Sequence, residues 1–187
     1  DAALKAFSEH FDKVVLDTLR LSDEAIEAAA DKVDEQIKAA IEQAKANIET
    51  FHQAQTFKAI DLETQGGVRC ELRSEAIEKV GLYIPGGSAP LISTVLMLAL
   101  PAKIAGCQQR VLVSPPPIDD AIIYAAKTCG ITDIYQIGGA QAIAALALVP
   151  AHEAVAQGQW YGHIAVGQAD LDYSASDLTS DLSSLGW

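Results

Sequence analysis

Apolar residues recur along this chain with two different periods, and the change of period divides it into regions. Up to residue 58 they return at three- and four-residue steps, which is typical of amphipathic helices. The pattern predicts a short helix over residues 1–12, with Leu4, Phe7 and Phe11 on one face, and a single long helix from Ser22 to about residue 53. The apolar stripe of the long helix comprises Ile26, Ala30, Val33, Ile37, Ile41, Ala44, Ile48 and Phe51.

Charged and apolar residues alternate in the connector that follows, residues 59–79. Two such runs, 59–63 and 68–73, flank the pair Gly66-Gly67. Alternation with a period of two around a glycine turn is typical of a β-hairpin. We therefore predict a half-exposed antiparallel hairpin here.

Strand-like and helix-like patterns then alternate three times over residues 80–147. The predicted strands are Val80–Ile84, Arg110–Val113 and Asp133–Ile137. The predicted helices run from about Ser93 to Ala105, from Asp119 to Cys129, and onward from Gly139. Pro101 is expected to kink or restart the first of these helices, because proline has no backbone N–H to donate. Three βα units in succession predict a parallel sheet with right-handed crossovers.

The fold class is therefore α/β, in four parts. A helical region (1–58) and the connector (59–79) precede a partial, Rossmann-like parallel sheet (80–147). The tail (148–187) is a divergent, polar stretch with weak strand patterns at 159–166 and a short helical one at 175–185. No internal repeat appears beyond the βα alternation.

Composition narrows the possible partners. The net charge of −12 argues against nucleic acid and against an anionic membrane surface, since both require clustered Lys and Arg. No apolar run is long enough to span a bilayer, and the first residues lack the pattern of a secretion signal. Three cysteines without a CxxC pair favour reduced thiols. We expect a cytoplasmic protein.

The candidate chemistry lies where the predicted strands end, because ligands of parallel sheets bind beyond the carboxyl ends of their strands. Gly86-Gly87 and Gly138-Gly139 each separate a strand from a helix. Such pairs either let backbone N–H groups approach a phosphate or simply form tight turns. Neither pair is a GxGxxG motif. The second strand ends in Ser114-Pro115, where a Rossmann domain would carry an acidic residue for the ribose.

Two side chains at these ends are candidate ligand contacts. Tyr83 is either a core aromatic or a contact for a ring or ribose. Gln141 opens an otherwise apolar helix, and an amide there needs a polar partner, so it is the stronger candidate. The histidines are weaker: His10 and His52 are predicted at the surface. His152 and His163 could join Asp170 and Asp172 in a zinc site, but their spacing matches no common ligand pattern.

Four segments carry a resemblance to a known family. They are Val80-Gly-Leu-Tyr-Ile-Pro-Gly-Gly-Ser-Ala-Pro-Leu-Ile-Ser-Thr-Val-Leu-Met-Leu-Ala99, Pro101-Ala-Lys-Ile-Ala-Gly-Cys107, Ser114-Pro-Pro-Pro117 and Gly138-Gly-Ala-Gln-Ala-Ile-Ala-Ala-Leu146. Together they resemble histidinol dehydrogenase, with a match over residues 1–147. The resemblance implies a zinc-assisted oxidoreductase that oxidises L-histidinol to L-histidine with NAD in histidine biosynthesis. It also implies a homodimer, with Tyr83 and Gln141 as NAD contacts.

The tail departs from the family. The FGPGN loop and the Gly-Pro-Glu-His motif, which supply an NAD-binding Asn and the general base and acid, are absent. Where the family places the zinc ligands Gln, Glu and His, this chain has Asp181, Ser183 and Ser184. We therefore assign no catalytic residue and leave the metal ligands unknown.

Three hypotheses follow from the sequence. The first is a histidinol dehydrogenase that is truncated, incomplete and inactive as this chain alone. The second is a non-catalytic nucleotide-binding or dimerisation module that keeps the fold. The third is a different Rossmann-like enzyme with its site in the tail, built on His152 and His163.

Overall fold

The computed structural model describes residues 2–87 and 89–155, with side chains as far as residue 147. Its helices are α1 (Ala2–Phe7), α2 (Asp23–Lys32), α3 (Glu35–Ala54), α4 (Ile92–Ile104), α5 (Asp120–Thr128) and α6 (Gly139–Val155); a π-helical turn, Ser8–Asp12, follows α1. Its strands are β1 (Ile60–Gln65), β2 (Val68–Leu72), β3 (Lys79–Tyr83), β4 (Gln109–Ser114) and β5 (Asp133–Gln136). The strand and helix predicted for the tail lie outside the described residues.

The predicted α/β fold is confirmed. Strands β3, β4 and β5 form a parallel sheet in the order β3-β4-β5, and a helix follows each of them. The predicted hairpin is also present, because β1 and β2 pair antiparallel and Gly67 adopts a left-handed φ of 81° in the turn. No helix within residues 2–87 and 89–155 is long and apolar enough to cross a membrane.

The sheet is covered on both faces. Successive side chains of a strand point to opposite faces, and neighbours accordingly join different clusters. Leu82, Leu112 and Ile134 pack with α2, α3, α4 and α5 in the main core, where all three are nearly inaccessible to solvent. A smaller cluster on the other face brings β4 and β5 together with α1 and α6, and contains Leu4, Tyr83, Val111, Val113, Tyr135, Ile137, Ala142 and Leu146.

The free edge of β5 is occupied by a short N-terminal segment. Leu21 donates its N–H to the carbonyl of Ile134 at 2.9 Å, and Gln136 donates to the carbonyl of Leu19 at 2.7 Å. Between these two bonds the Arg20 guanidinium pairs with Asp133 at 3.1 Å. This antiparallel pairing satisfies backbone groups that an edge strand otherwise leaves open.

The prediction of one long N-terminal helix is wrong. The chain becomes extended at Val33 (ψ 131°), and α3 then begins afresh with Asp34 as its N-cap. The Asp34 carboxylate accepts a hydrogen bond from the N–H of Gln36 at 2.8 Å. A short acidic side chain competes with helix continuation by bonding nearby backbone, which favours a new helix start.

Three further details differ from the sequence predictions. The apolar stripe is not buried throughout, since Ile37 is 44% and Phe51 is 64% exposed. The hairpin is exposed on both faces rather than on one. Of the two effects expected of Pro101, a kink or a restart, the restart does not occur, because α4 continues through Pro101 to Ile104.

Candidate functional site at the carboxyl edge of the sheet

The three parallel strands end side by side. Tyr83 of β3 is in register with Val113 of β4, which is in register with Tyr135 of β5. The turns that follow the strands therefore meet at one edge of the sheet, as the sequence predicted. We call this region the carboxyl edge; its described residues are 83–87, 89–90, 114–120 and 137–141.

Pro115 lies against both glycine turns. A Cβ added to Gly138 would lie only 2.4 Å from Cγ and 3.1 Å from the backbone Cα of Pro115. A Cβ on Gly86 would lie 3.2 Å from the same Cγ. A real Cβ atom essentially never lies within 3 Å of another non-bonded heavy atom, so the turn after β5 can pass Pro115 only because residue 138 is glycine. Close approach between the turns, and not a left-handed φ, explains this glycine.

Tyr83 connects the end of β3 to the turn that follows β5. Its hydroxyl accepts a hydrogen bond from the N–H of Gly139 at 3.1 Å, while its ring packs in the smaller core cluster. From the sequence, Tyr83 is either a core aromatic or a ligand contact. In the structure its ring lies in the core, and its hydroxyl reaches the carboxyl edge. The bond fixes the first residue of α6, whose free N–H groups carry positive partial charge.

Gln141 lies beside this bond. Gly139 has a left-handed φ of 65°, and a Cβ added there would lie 2.6 Å from Oε1 of Gln141. The amide therefore folds back over the first turn of α6. It is half-buried and has no hydrogen-bond partner among the described residues. A half-buried amide without a partner is suited to bind a polar ligand.

A cavity of about 350 Å³ is lined by Pro115 and Pro117. Residues 85–87 and 89–90 and the start of α5 complete it, and its polar lining includes Ser114, Asp119 and Asp120. Tyr83 and Gln141 do not line it. From the sequence, Asp119 and Asp120 are predicted only as the start of a helix, and their place in the lining of this cavity follows from the fold. Their position before an apolar helical run was the available signal.

A second concavity, of about 370 Å³, lies away from the sheet edge. It is a groove between α3 and α4, and its lining is almost entirely apolar, including Ile37, Ile41, Ile48 and Leu96. No ionisable side chain lines it. The groove can pack against an apolar surface but offers little to orient a polar substrate.

The cysteines are free thiols in the structure, as the sequence predicted. Cys107 and Cys129 are buried, and Cys70 is exposed in the hairpin. Burial raises the pKa of the Cys129 thiol, because the charged thiolate is disfavoured away from water. A buried thiol with a raised pKa is a poor nucleophile.

No metal centre is found in the part of the chain that the structure describes. Within residues 2–87 and 89–147, whose side chains the structure describes, no three His, Cys, Asp or Glu side chains come close enough together to hold an ion. His10 is exposed and His52 half-buried. The side chains of His152, His163, Asp170, Asp172, Asp181, Ser183 and Ser184 lie outside the described residues.

Comparison with known proteins gives one consistent family. A family model described as histidinol dehydrogenase matches residues 1–157. The histidinol dehydrogenase of Shewanella oneidensis is 70% identical over 155 residues, which cover 79% of this chain and 35% of that protein. The enzyme of Mannheimia succiniciproducens is 60% identical over 147 residues, covering 79% and 34%.

A solved structure agrees with these sequence matches. The crystal structure of histidinol dehydrogenase from Elizabethkingia anophelis superimposes with a TM-score of 0.75 at 46% sequence identity. The match covers 78% of this chain and 34% of that one. The chain thus spans about a third of the length of the relatives it matches.

Proposed function

Because this chain belongs to the histidinol dehydrogenase family, we propose that its carboxyl edge is the NAD-binding platform of an enzyme that oxidises L-histidinol to L-histidine. The observation that carries the proposal is the half-buried, unpartnered amide of Gln141 beside the hydrogen bond from Gly139 to Tyr83. Both candidate residues belong to one small site at the end of a parallel sheet, which is where such sheets bind nucleotides.

The residues of this platform fit a dinucleotide. The Gln141 amide can both donate and accept, so it can bind a carboxamide or a ribose hydroxyl. The start of α6 presents N–H groups and positive potential to an anionic group. Glycine at positions 86 and 87 leaves the other turn open, since a Cβ on Gly87 would meet no atom within 4 Å. NAD, when bound, accepts the hydride; the chain's own residues bind and orient it.

The groups that act on the substrate alcohol are not assigned to the described residues. Oxidation of an alcohol requires a base for its proton. The family motif that supplies the base and acid lies in a part of the family sequence that this chain does not match. We propose that residues 1–157 contribute the cofactor platform and not the groups that act on the substrate alcohol. The side chains of residues 2–87 and 89–147 include no set of three ligands that would hold the family's zinc.

Titration of the 187-residue chain with NAD tests the platform, with binding followed by calorimetry. Loss of one hydrogen bond is worth about 0.5–1.5 kcal/mol, so Gln141→Ala is expected to weaken binding about two- to tenfold. Tyr83→Phe should weaken it by a similar factor, because the first turn of α6 loses its anchor.

Two variants serve as matched controls. Gln53→Ala removes an exposed amide at the end of α3, and Tyr124→Phe removes a hydroxyl from the opposite side of the sheet. Both should bind NAD as the unmodified chain does. Absence of saturable NAD binding would refute the platform, as would Gln141 and Tyr83 variants that bind like their controls.

A second candidate function, a dimerisation module, is favoured by the hairpin. One face of β1 and β2 carries Ile60, Leu62, Val68 and Leu72, and each is between 41% and 51% exposed. Cross-strand pairs such as Ile60 with Leu72 and Leu62 with Cys70 make this face continuous. A two-stranded sheet is only marginally stable alone in water. We propose that a second copy of the chain covers this face, in keeping with the homodimer that the family resemblance implies.

Sedimentation over a range of protein concentrations tests this assembly. Leu62→Lys places a charge on the apolar face and is expected to shift the dimer towards monomer. Val15→Lys adds the same charge at a residue that is 76% exposed outside the hairpin, and should leave the dimer intact. A monomer at all concentrations, or equal dimerisation of both variants, would exclude the hairpin as the interface.

A further inference from the structure

Strand β3 lies at the edge of the sheet and pairs with β4 alone among the described strands. At its end, Ile84 donates its N–H to the carbonyl of Val113 in β4 at 2.9 Å. Neighbouring residues of a strand direct their backbone groups to opposite sides, so the even-numbered residues of β3 face β4. The N–H and carbonyl groups of Gly81 and Tyr83 therefore point away from β4, to an outer edge where no described residue pairs with them.

The opposite edge of the sheet is already covered. Leu19 and Leu21 hydrogen-bond to the outer side of β5, and Arg20 pairs with Asp133 between them. A further strand can therefore join these three only beyond β3. An edge strand with open backbone groups pairs readily with another segment, so natural sheets usually cover it.

Helix α6 leads the chain to this open edge. It begins beside Tyr83, whose hydroxyl accepts the N–H of Gly139, and Leu146 then lies against Gly81. The helix thus runs along β3 from its carboxyl end towards its amino end. Val155, the last residue of α6, lies about 13 Å beyond Leu146 at the usual helical rise. Gly81 is only about 7 Å from the start of β3, so the chain leaves α6 near the amino end of this strand.

The handedness of the connections places the next strand on the outer side of β3. Helix α4 packs in the main core, whereas α6 packs on the opposite face of the sheet. Connections between parallel strands are almost always right-handed. Helix α4 carries the chain from β3 to β4, so a helix on the other face keeps the same hand only if it carries the chain the opposite way, from β5 past β3. A strand that follows α6 then runs parallel to β3 along its outer edge.

Residues 159–166, which lie outside the described residues, have a sequence suited to this edge. They read Gln-Trp-Tyr-Gly-His-Ile-Ala-Val and include no Asp, Glu, Lys or Arg. Trp, Tyr, Ile and Val are all common in strands. Residues 156–158 separate this segment from the end of α6, which is within the range of about two to six residues that connect helices to strands in α/β units.

We propose that residues 159–166 pair with the outer edge of β3 as a fourth parallel strand. The outer edge of β3 is then an interaction surface for an extended, uncharged segment, and this chain supplies that segment itself. The pairing gives the outward backbone groups of Gly81 and Tyr83 their partners. It requires no NAD, so it stands or falls independently of the proposed function.

Amide hydrogen exchange of the ¹⁵N-labelled 187-residue chain, followed by NMR, tests the pairing. The N–H groups of Gly81 and Tyr83 are expected to exchange at least about tenfold more slowly than those of an open edge, because exchange requires the hydrogen bond to open. Leu82 is the internal control. Its N–H faces β4, so it should be protected whether or not the outer edge is covered.

A double variant, His163→Pro with Ile164→Pro, removes two neighbouring N–H groups, one of which would face β3. Exchange at Gly81 and Tyr83 should become at least about tenfold faster, while Leu82 stays protected. The matched control carries Gln168→Pro with Ala169→Pro, just beyond the segment. It should exchange as the unmodified chain does.

Nuclear Overhauser contacts test the same pairing without any substitution. Neighbouring strands lie only about 4.8 Å apart, so backbone protons of Gly81 should show contacts to residues 159–166. Absence of these contacts would overturn the inference, as would fast exchange of Gly81 and Tyr83 in the unmodified chain. Protection that persists in the variant of residues 163 and 164 would show that another element covers the edge. Protection that rises with protein concentration would assign the edge to a second copy, and either result rejects residues 159–166 as the partner.

Discussion

Replacement of Gly138 by alanine tests whether the carboxyl edge is built by close approach of two turns. The new Cβ would lie 2.4 Å and 2.7 Å from Cγ and Cβ of Pro115 and 3.1 Å from its Cα. A proline ring cannot rotate away, and the third atom is backbone. One of the two turns must therefore shift.

The expected cost follows from this geometry. Introducing one carbon into a closely packed site typically destabilises a protein by about 1–3 kcal/mol. The backbone of Gly138 is not left-handed, so none of that cost comes from φ. For a chain of this size, each kcal/mol lowers the melting temperature by about 2–4 °C. We expect Gly138→Ala to lose roughly 3–10 °C and to weaken NAD binding, because the displaced turn carries the bond between Gly139 and Tyr83.

Gly87→Ala is the control, and thermal unfolding followed by circular dichroism is the assay. A Cβ on Gly87 would meet no atom within 4 Å, so this variant should be neutral or slightly more stable through lost unfolded-state entropy. Gly86→Ala should fall between the two, since its Cβ would lie 3.2 Å from Pro115. Equal melting temperatures for the Gly138 and Gly87 variants would refute the close approach.

Two further predictions concern packing and pH. Gly81→Ala places a Cβ 2.6 Å from Cδ1 of Leu146 and should lower the free energy of unfolding, measured in urea, by about 1–3 kcal/mol. The same change in a Leu146→Ala background should lower it much less, because the clashing side chain is gone. Additive effects of the two substitutions would contradict the contact between β3 and α6. Burial raises the pKa of Asp12, whose Oδ2 is buried without a partner, so stability should fall as pH rises from the usual Asp pKa through the raised one. Asp12→Asn should remove that fall and unfold at higher urea at neutral pH, and an unchanged pH dependence would count against the burial.

Sequence patterns predicted the strands and their helices closely, for a physical reason. Each strand is a short apolar run followed by glycine or proline, and the helices α4 and α5 end just before Gly106 and Gly130. Asp119, for example, both precedes an apolar helical run and caps α5 in the structure. These signals are local, so one sequence suffices to read them.

The break between α2 and α3 was not predicted, because the apolar stripe continues in phase across it. Ile26 and Ile41 lie on opposite sides of the break and are both buried in the main core. Periodicity alone therefore indicated one helix. The local signal was Asp34 followed by Glu35, a helix start that the stripe concealed.

The cavity beside Pro115 could not be predicted from the sequence either, because its parts meet only in three dimensions. The loop Pro115–Pro117 places the start of α5 near the turn after β3. The spacing of residues along the chain does not predict this proximity. Tyr83 and Gln141 could be selected from their places after strands. Their spatial relation to Gly139, which makes them one site, required the fold.

An amide chemical-shift map of the ¹⁵N-labelled chain during titration with NAD tests the central claim most directly. Saturable shifts are expected at Gly86, Gly87, Gly138 and Gly139 and at the side-chain amide of Gln141. Gly66 and Gly67 in the hairpin turn should stay unchanged. Saturable shifts confined to the α3–α4 groove, or none at the carboxyl edge at millimolar NAD, would contradict the assignment of this edge as the cofactor platform.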